Sequence, residues 1–299
     1  MTLLDGTAAH SAIHLSSALD LYQLTPLSDI MGAEIEHIDL SIPVSDQAFT
    51  KISADFLKHK VLIFRNQKLS KDQIHSFAAR FGPIEGHTVF GANGNFLEGV
   101  HDISNLDADG QPSKKPHINA NYYWHSDKAH YKAPSLLTML YAVELPPGGS
   151  ETEFSDTEAA YDALGNDMKD RIKELMVEND FAYAMKNVGK DLSEKERLAS
   201  LSAVHPIVRI HPETRRKGLF VGMYSKGIIG IPDGEAQALI KTLLDSATQP
   251  QFIFRQQWRL NDLVVWDNRC LLHRAVMNLK LAHHRRVLWR CVVRGAPSI

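Results

Sequence analysis

Fifteen histidines are spread along the 299-residue chain, and one stands in a setting that suits metal chemistry. In Asn121-Tyr122-Tyr123-Trp124-His125-Ser126-Asp127 an imidazole and a carboxylate lie two residues apart, within an aromatic run suited to an extended strand. Residues i and i+2 of a strand project from the same face. His125 and Asp127 could therefore grip one ion from one side, and a second histidine from elsewhere would complete a 2-His-1-carboxylate face. That set, with its open positions, suits non-haem Fe(II). An H-x-D pair alone is a weak signal, because chance pairings are common and a solitary histidine is usually an ordinary surface or core residue.

The second histidine is best sought in Val264-Val265-Trp266-Asp267-Asn268-Arg269-Cys270-Leu271-Leu272-His273-Arg274. A strand ends there in an Asp-Asn turn, and the chain re-enters an apolar run that holds one imidazole, so His273 is the candidate third ligand. Downstream, Arg286, Leu288 and Arg290 share one strand face while Arg285 and Trp289 share the other. Two arginines aimed into one cavity are costly unless anions meet them. They imply one or two carboxylate-like ligands, for which guanidinium forks are the natural partners.

The elements that must position these groups are readable from periodicity. Phe49, Ile52 and Phe56 mark a helix after Ser45, Val61–Phe64 reads as a buried strand, and Ser70-Lys71-Asp72-Gln73 has the form of a capping box opening a second helix that Gly82-Pro83 stops. Residues 88–120, rich in Gly and Pro, read as a long excursion of the kind that forms active-site lids. Strands are expected at the 121–127 run, Ser135–Val143, around a turn at His211–Lys217, and at Phe252–Phe254, Leu263–Trp266 and Arg286–Val293. Helices are expected after Asp156, around Met168 to Met176, and at Leu239 to Leu244. The more polar stretch 180–200 reads as a surface element, and residues 1–25 as a loose N-terminal arm. Many strands with a few flanking helices favour a mostly β, α+β fold with a sandwich or jelly-roll core. No composition break divides the chain, so a single domain over 1–299 is expected.

A hydrophobic share of 44% allows a well-formed core, and a net charge of −2 with pI near 6.7 gives no electrostatic footprint for a nucleic acid or anionic membrane. Cys270 and Cys291 sit in apolar contexts and read as buried free thiols. No apolar run is long enough to span a bilayer, and a cytoplasmic location is expected. A homo-oligomer stays open, since helix faces such as 166–178 serve an interface as readily as a core.

Taken in order, His125-Ser126-Asp127, then Pro146-Pro147-Gly148-Gly149-Ser150-Glu151-Thr152-Glu153-Phe154, then Trp266-Asp267-Asn268-Arg269 with His273, then Arg286 and Arg290, resemble the taurine dioxygenase / 2,4-dichlorophenoxyacetate dioxygenase (TauD/TfdA) family of Fe(II)- and 2-oxoglutarate-dependent oxygenases. The resemblance runs from about Ile30 to Val293. It implies a double-stranded β-helix, with Fe(2+), 2-oxoglutarate and O2 as the cofactor and co-substrates. It also implies that His125, Asp127 and His273 are metal ligands and that Thr152 and Arg286 hold the distal carboxylate of 2-oxoglutarate. Arg290 matches an arginine that faces the anionic group of substrate in sulfonate-using relatives, and His87 and Asn121 fall where such relatives place substrate-contacting side chains. Two features depart from the pattern. Ser150 replaces a glycine, and the gap from His273 to Arg286 is longer than in the taurine enzyme, which leaves Arg285 as the fallback for Arg286.

The expected reaction is hydroxylation of a small organic anion coupled to conversion of 2-oxoglutarate to succinate and CO2, with C–O or C–S cleavage following where the hydroxylated carbon bears a heteroatom. Lys128 and His130 are candidates for the mouth of the pocket, and Tyr224 for an apolar wall. The alternative for the first two is a solvated lysine beside a surface histidine. An aryloxyalkanoate-like acid leads as substrate, followed by an alkyl sulfonate or sulfate ester. The competing reading from another class is a jelly-roll protein that binds metal without turnover.

Overall fold

In the computed structural model, which describes residues 21–88, 96, 97, 99–113, 120–148, 151–277 and 279–297, all four residues of the strand Val61–Phe64 are buried. The strand is covered on both faces, and its side chains alternate between two cores as the twofold strand period requires. Leu62 and Phe64, with Leu263, Val265 and Met139, pack against Ile52, Phe56, Ile74 and Phe77 of the helices Asp46–His59 and Lys71–Ala79. Val61 and Ile63, with Val264 and Trp266, meet Phe154, Phe254 and Leu271 of a second sheet. A continuous apolar run is what a strand between two layers needs.

That partition is a seven-stranded sheet in the order Gln23–Pro26, Ala33–Glu36, Val61–Phe64, Leu263–Asp267, Leu137–Glu144, Val287–Val293, His101–Ser104. All its pairings are antiparallel except that of Ala33–Glu36 with Val61–Phe64. The opposing sheet is Ile253–Gln257, Glu151–Asp156, Leu271–Ala275. Together they make the double-stranded β-helix, a jelly roll with helices on its outer face. Ser45 and Ser70 cap the two N-terminal helices through their side chains, the second as a full capping box. Beyond the second sheet lie a three-stranded sheet built on Met176–Asp180 and the helix Asp233–Ala247. No helix among the described residues is long and apolar enough to cross a membrane.

Three expectations change. The 121–127 run is not a strand: Ala120–Tyr122 is a turn of 3-10 helix, and only His125 makes a β-bridge. The arm expected over 1–25 does not reach that far, since Gln23–Pro26 pairs with Ala33–Glu36; residues 1–20 lie outside those described. The polar stretch 180–200 is partly core, because the helix Phe181–Asn187 buries Ala184 and Met185 beside Tyr224. Of the excursion 88–120, His101–Ser104 is an edge strand of the main sheet, while residues 89–95, 98 and 114–119 lie outside the described ones. Both cysteines are free and buried.

Behind the second sheet, Lys60 reaches Asp156 and Glu158, each at 2.7 Å, with all three side chains at most 5% exposed. Removing the cation strands the buried Asp156 carboxylate and leaves Glu158 only the half-exposed Arg216, at 3.2 Å. Lys60→Met should therefore cost about 3–5 kcal/mol of unfolding free energy, read by urea denaturation, although it preserves the aliphatic stem.

Candidate active site

Two backbone hydrogen bonds set the site. His125 N–H donates to His273 O at 3.1 Å, and His273 N–H donates to His125 O at 2.8 Å. The two residues are direct antiparallel neighbours, with ring centroids 4.2 Å apart. His273 belongs to the strand Leu271–Ala275, so the sheet's register delivers it. Gly222 lets the neighbouring chain pass close by, since a Cβ there would stand 3.0 Å from Trp124 O.

The rings are oriented for metal. His125 Nδ1 lies 2.8 Å from Tyr123 O; a carbonyl only accepts, so Nδ1 carries the proton and Nε2 presents a lone pair. His125 Nε2 is 3.9 Å from Asp127 Oδ1, and His273 Nε2 is 3.8 Å from Asp127 Oδ2. Three buried donor atoms thus lie within 4.8 Å of one another. Burial pushes both imidazoles below their ordinary pKa, which keeps them neutral. Burial acts on Asp127 in the opposite sense, toward protonation, but is outweighed by Arg290, whose Nη2 is 2.6 Å from Oδ1, by the two histidines and by the Thr138 hydroxyl. The carboxyl is held well below the usual range.

A cavity of about 120 Å³ opens beside these groups, lined among others by Asn121, Thr152, Leu288, Arg286 and Arg290. Its volume suits a small organic molecule rather than one water. Burial drives the Arg286 guanidinium down to about 10, and no acidic side chain among the described residues forms an ion pair with it. Arg285, by contrast, lies at the surface and pairs with Glu144. Thr152 Oγ1 accepts from Trp258 Nε1 at 3.0 Å, which leaves its own O–H free to donate. The site therefore offers three convergent metal-type donors next to a half-buried cation and a hydroxyl.

The model of the "Taurine catabolism dioxygenase TauD, TfdA family" matches residues 21–292. The chain belongs to this family. TauD/TfdA proteins are Fe(II)- and 2-oxoglutarate-dependent dioxygenases. An alpha-ketoglutarate-dependent 2,4-dichlorophenoxyacetate dioxygenase of Cupriavidus pinatubonensis is 37% identical over 83% of this chain and 90% of its own length. An alkylsulfatase of Acinetobacter baylyi is 31% identical over 91% of this chain and 85% of its own. The crystal structure of AAD-2 in complex with Mn(II) and N-oxalylglycine superimposes with a TM-score of 0.83 at 30% identity, covering 93% of this chain and 100% of that one.

Within this TauD/TfdA chain, Asn121 lies on the cavity wall but Lys128, His130 and Tyr224 do not. Lys128 is neither solvated nor free: it is buried, with Nζ 3.1 Å from Glu85 and 2.9 Å from Gly86 O. His130 is also buried, against the rings of Tyr131, Phe181 and Tyr224. Tyr224 stands edge-on to His125 at 6.3 Å. The side chain of His87 lies outside those described.

Sequence reading missed the supports behind Asp127. The Thr138 hydroxyl donates to Asp127 Oδ2 and accepts from Asn268 Nδ2, while Asn268 Oδ1 accepts from Trp266 Nε1. The single threonine inside the apolar strand Leu137–Glu144 was the available signal. A second cluster, His211, Asp267 and Cys270, is structural. The Arg269 fork takes both Asp267 oxygens, and His211 Nδ1 accepts two backbone N–H groups, so its Nε2–H must donate to Asp267.

Burial, reinforced by Lys128, lowers His130 from 6.5 to about 3. Between those values the unfolded chain binds a proton that the folded one refuses, so stability falls with falling pH. Urea titrations at pH 7, 6 and 5 should show His130 contributing a slope of up to about 1.4 kcal/mol per pH unit, absent in His130→Phe.

Proposed function

We propose that the protein hydroxylates a small organic anion as an Fe(II)- and 2-oxoglutarate-dependent dioxygenase, with an aryloxyalkanoate-like acid as substrate. The observation that carries this reading is the convergence of His125 Nε2, His273 Nε2 and the Asp127 carboxylate beside a half-buried Arg286 that has no acidic partner among the described residues. His125, Asp127 and His273 would hold the iron, and Arg286 with Thr152 would hold the distal carboxylate of the keto acid. When bound, iron and keto acid supply the oxidising chemistry, in which dioxygen converts 2-oxoglutarate to succinate and CO2 and one oxygen atom enters a substrate C–H bond.

The chain's own residues position and exclude. Neutral histidines offer lone pairs without repelling the metal, and the ionised Asp127 brings the compensating charge. Thr138 and Asn268 fix that carboxylate in place. Arg290, one contact from Asp127, is placed to meet the anionic end of a substrate, and Asn121 is on the wall beside it. Leu140, Trp266 and Leu288 give the partly polar cavity an apolar side. Alkyl sulfates or sulfonates are the second substrate class, favoured by the similarity to an alkylsulfatase over most of both chains.

Anaerobic titration of 2-oxoglutarate into Fe(II)-loaded protein should produce the weak visible charge-transfer band of a chelated keto acid. Arg286→Ala should raise the half-saturating concentration about 100-fold, in keeping with the loss of a charge-assisted contact of roughly 3 kcal/mol. Folded, iron-loaded wild type without a band would point to the non-catalytic reading. Succinate release should be stimulated by aryloxyalkanoates, with alkyl sulfates and sulfonates as the competing series; stimulation by neither sinks the substrate assignment. Thr138→Val, which removes a hydrogen bond behind a ligand, should weaken Mn(II) binding about 10–100-fold by calorimetry.

A further inference from the structure

The segment that carries Arg286 to the cavity is held from across the sheet by one side chain. Asn105 continues the pairing of His101–Ser104 one residue past the strand, its N–H donating to Arg286 O at 3.3 Å. Its side chain then spends every donor it has on the same segment. Nδ2 donates to Leu281 O at 2.7 Å and to His284 O at 2.8 Å, while Oδ1 accepts from Arg286 N–H at 2.7 Å. Two carbonyls demand the amino group and one N–H demands the oxygen, so the orientation of the amide is fixed by its partners. Asn105 is 8% exposed and on the cavity wall.

Regular structure does little to hold this segment otherwise. Leu279–Ala282 is a single 3-10 turn, the strand begins only at Val287, and its register on Leu137–Glu144 shifts between Val287 and Leu288. Arg286 follows His273 by thirteen positions. On the outer side Arg285 ties the segment to Glu144 and to Gly110 O, but those contacts are exposed, and exposed ion pairs hold weakly. The buried anchor is Asn105.

We propose that Asn105 is a positioning residue for 2-oxoglutarate, acting through Arg286: it fixes the backbone from which the guanidinium meets the distal carboxylate. The proposal rests on the cofactor reading of Arg286 given above. Its own polar atoms are committed to the backbone, so it holds the keto acid's partner rather than the keto acid.

The test compares wild type, Asn105→Ala and Asn105→Asp. The last keeps an acceptor for Arg286 N–H and serves if the alanine variant fails to fold. Hydrogen–deuterium exchange of the metal-free proteins reports the clamp alone. Amides of residues 281–287 should exchange at least tenfold faster in Asn105→Ala, and those other than Arg286 in Asn105→Asp, with the rest of the main sheet unchanged. Keto-acid titration of the Fe(II)-loaded proteins reports the consequence: half-saturating 2-oxoglutarate should rise tenfold or more. In turnover, the KM for 2-oxoglutarate should rise while kcat at saturation stays within about threefold and the KM for the organic anion is unmoved. Unchanged exchange overturns the clamp, and faster exchange with wild-type keto-acid affinity overturns its role. Wild-type protein that holds iron but no keto acid removes the cofactor reading itself, and the proposal with it.

Discussion

The chemistry of this protein hangs on a reciprocal pair of backbone hydrogen bonds between His125 and His273. Side chains alone could not bring two imidazoles from distant parts of the chain into register, because each would have to surrender rotamer freedom for a single contact. A narrow backbone pair does it geometrically, and everything around it keeps that pair in place. Leu271–Ala275 is fixed by its ladder to Glu151–Asp156. The preceding turn is fixed by Ser126 Oγ bonding to Asn268 O. The double-stranded β-helix is in this sense a frame for one bridge.

The same frame shows where stabilisation was given up. Most buried charges are answered: Lys60 by two carboxylates, Glu153 by Arg255 and Arg274, Asp267 by Arg269 and His211. Arg286 is the exception on the cavity wall, half-buried with no acid paired to it among the described residues. A partly desolvated cation of this kind is destabilising until an anion arrives, and a ligand that binds only the folded state returns that energy as affinity and stability together.

Much of this was legible in the sequence, for identifiable reasons. The helices at Asp46–His59 and Lys71–Ala79 announced themselves by apolar spacing and serine caps, and Val61–Phe64 by its unbroken apolar run. Arg286 could be preferred to Arg285 by strand parity, and the structure puts the first on the cavity wall and the second on the surface. The 121–127 segment misled because aromatic residues favour strands in general, whereas here Tyr122 belongs to a 3-10 turn and His125 gains its place from a partner far along the chain. Lys128 was a candidate for the pocket mouth, with a solvated lysine as the alternative; it is neither, because it is buried against Glu85, a pairing that no local pattern encodes. Thr138, Asn268 and Asn105 stayed hidden for the same reason, since each acts by a hydrogen bond to a residue remote in sequence.

Arg290 and Asp127 make a contact with a consequence of its own. The guanidinium sits on the carboxylate that faces the two histidines, so Asp127 already has a counterion supplied by the fold. A divalent ion held by His125, Asp127 and His273 would compete with Arg290 for the same negative charge, and an arginine loosened in that way would be free to meet an anion. Cation loading and anion capture would then be two ends of one exchange, each strengthening the other by linkage.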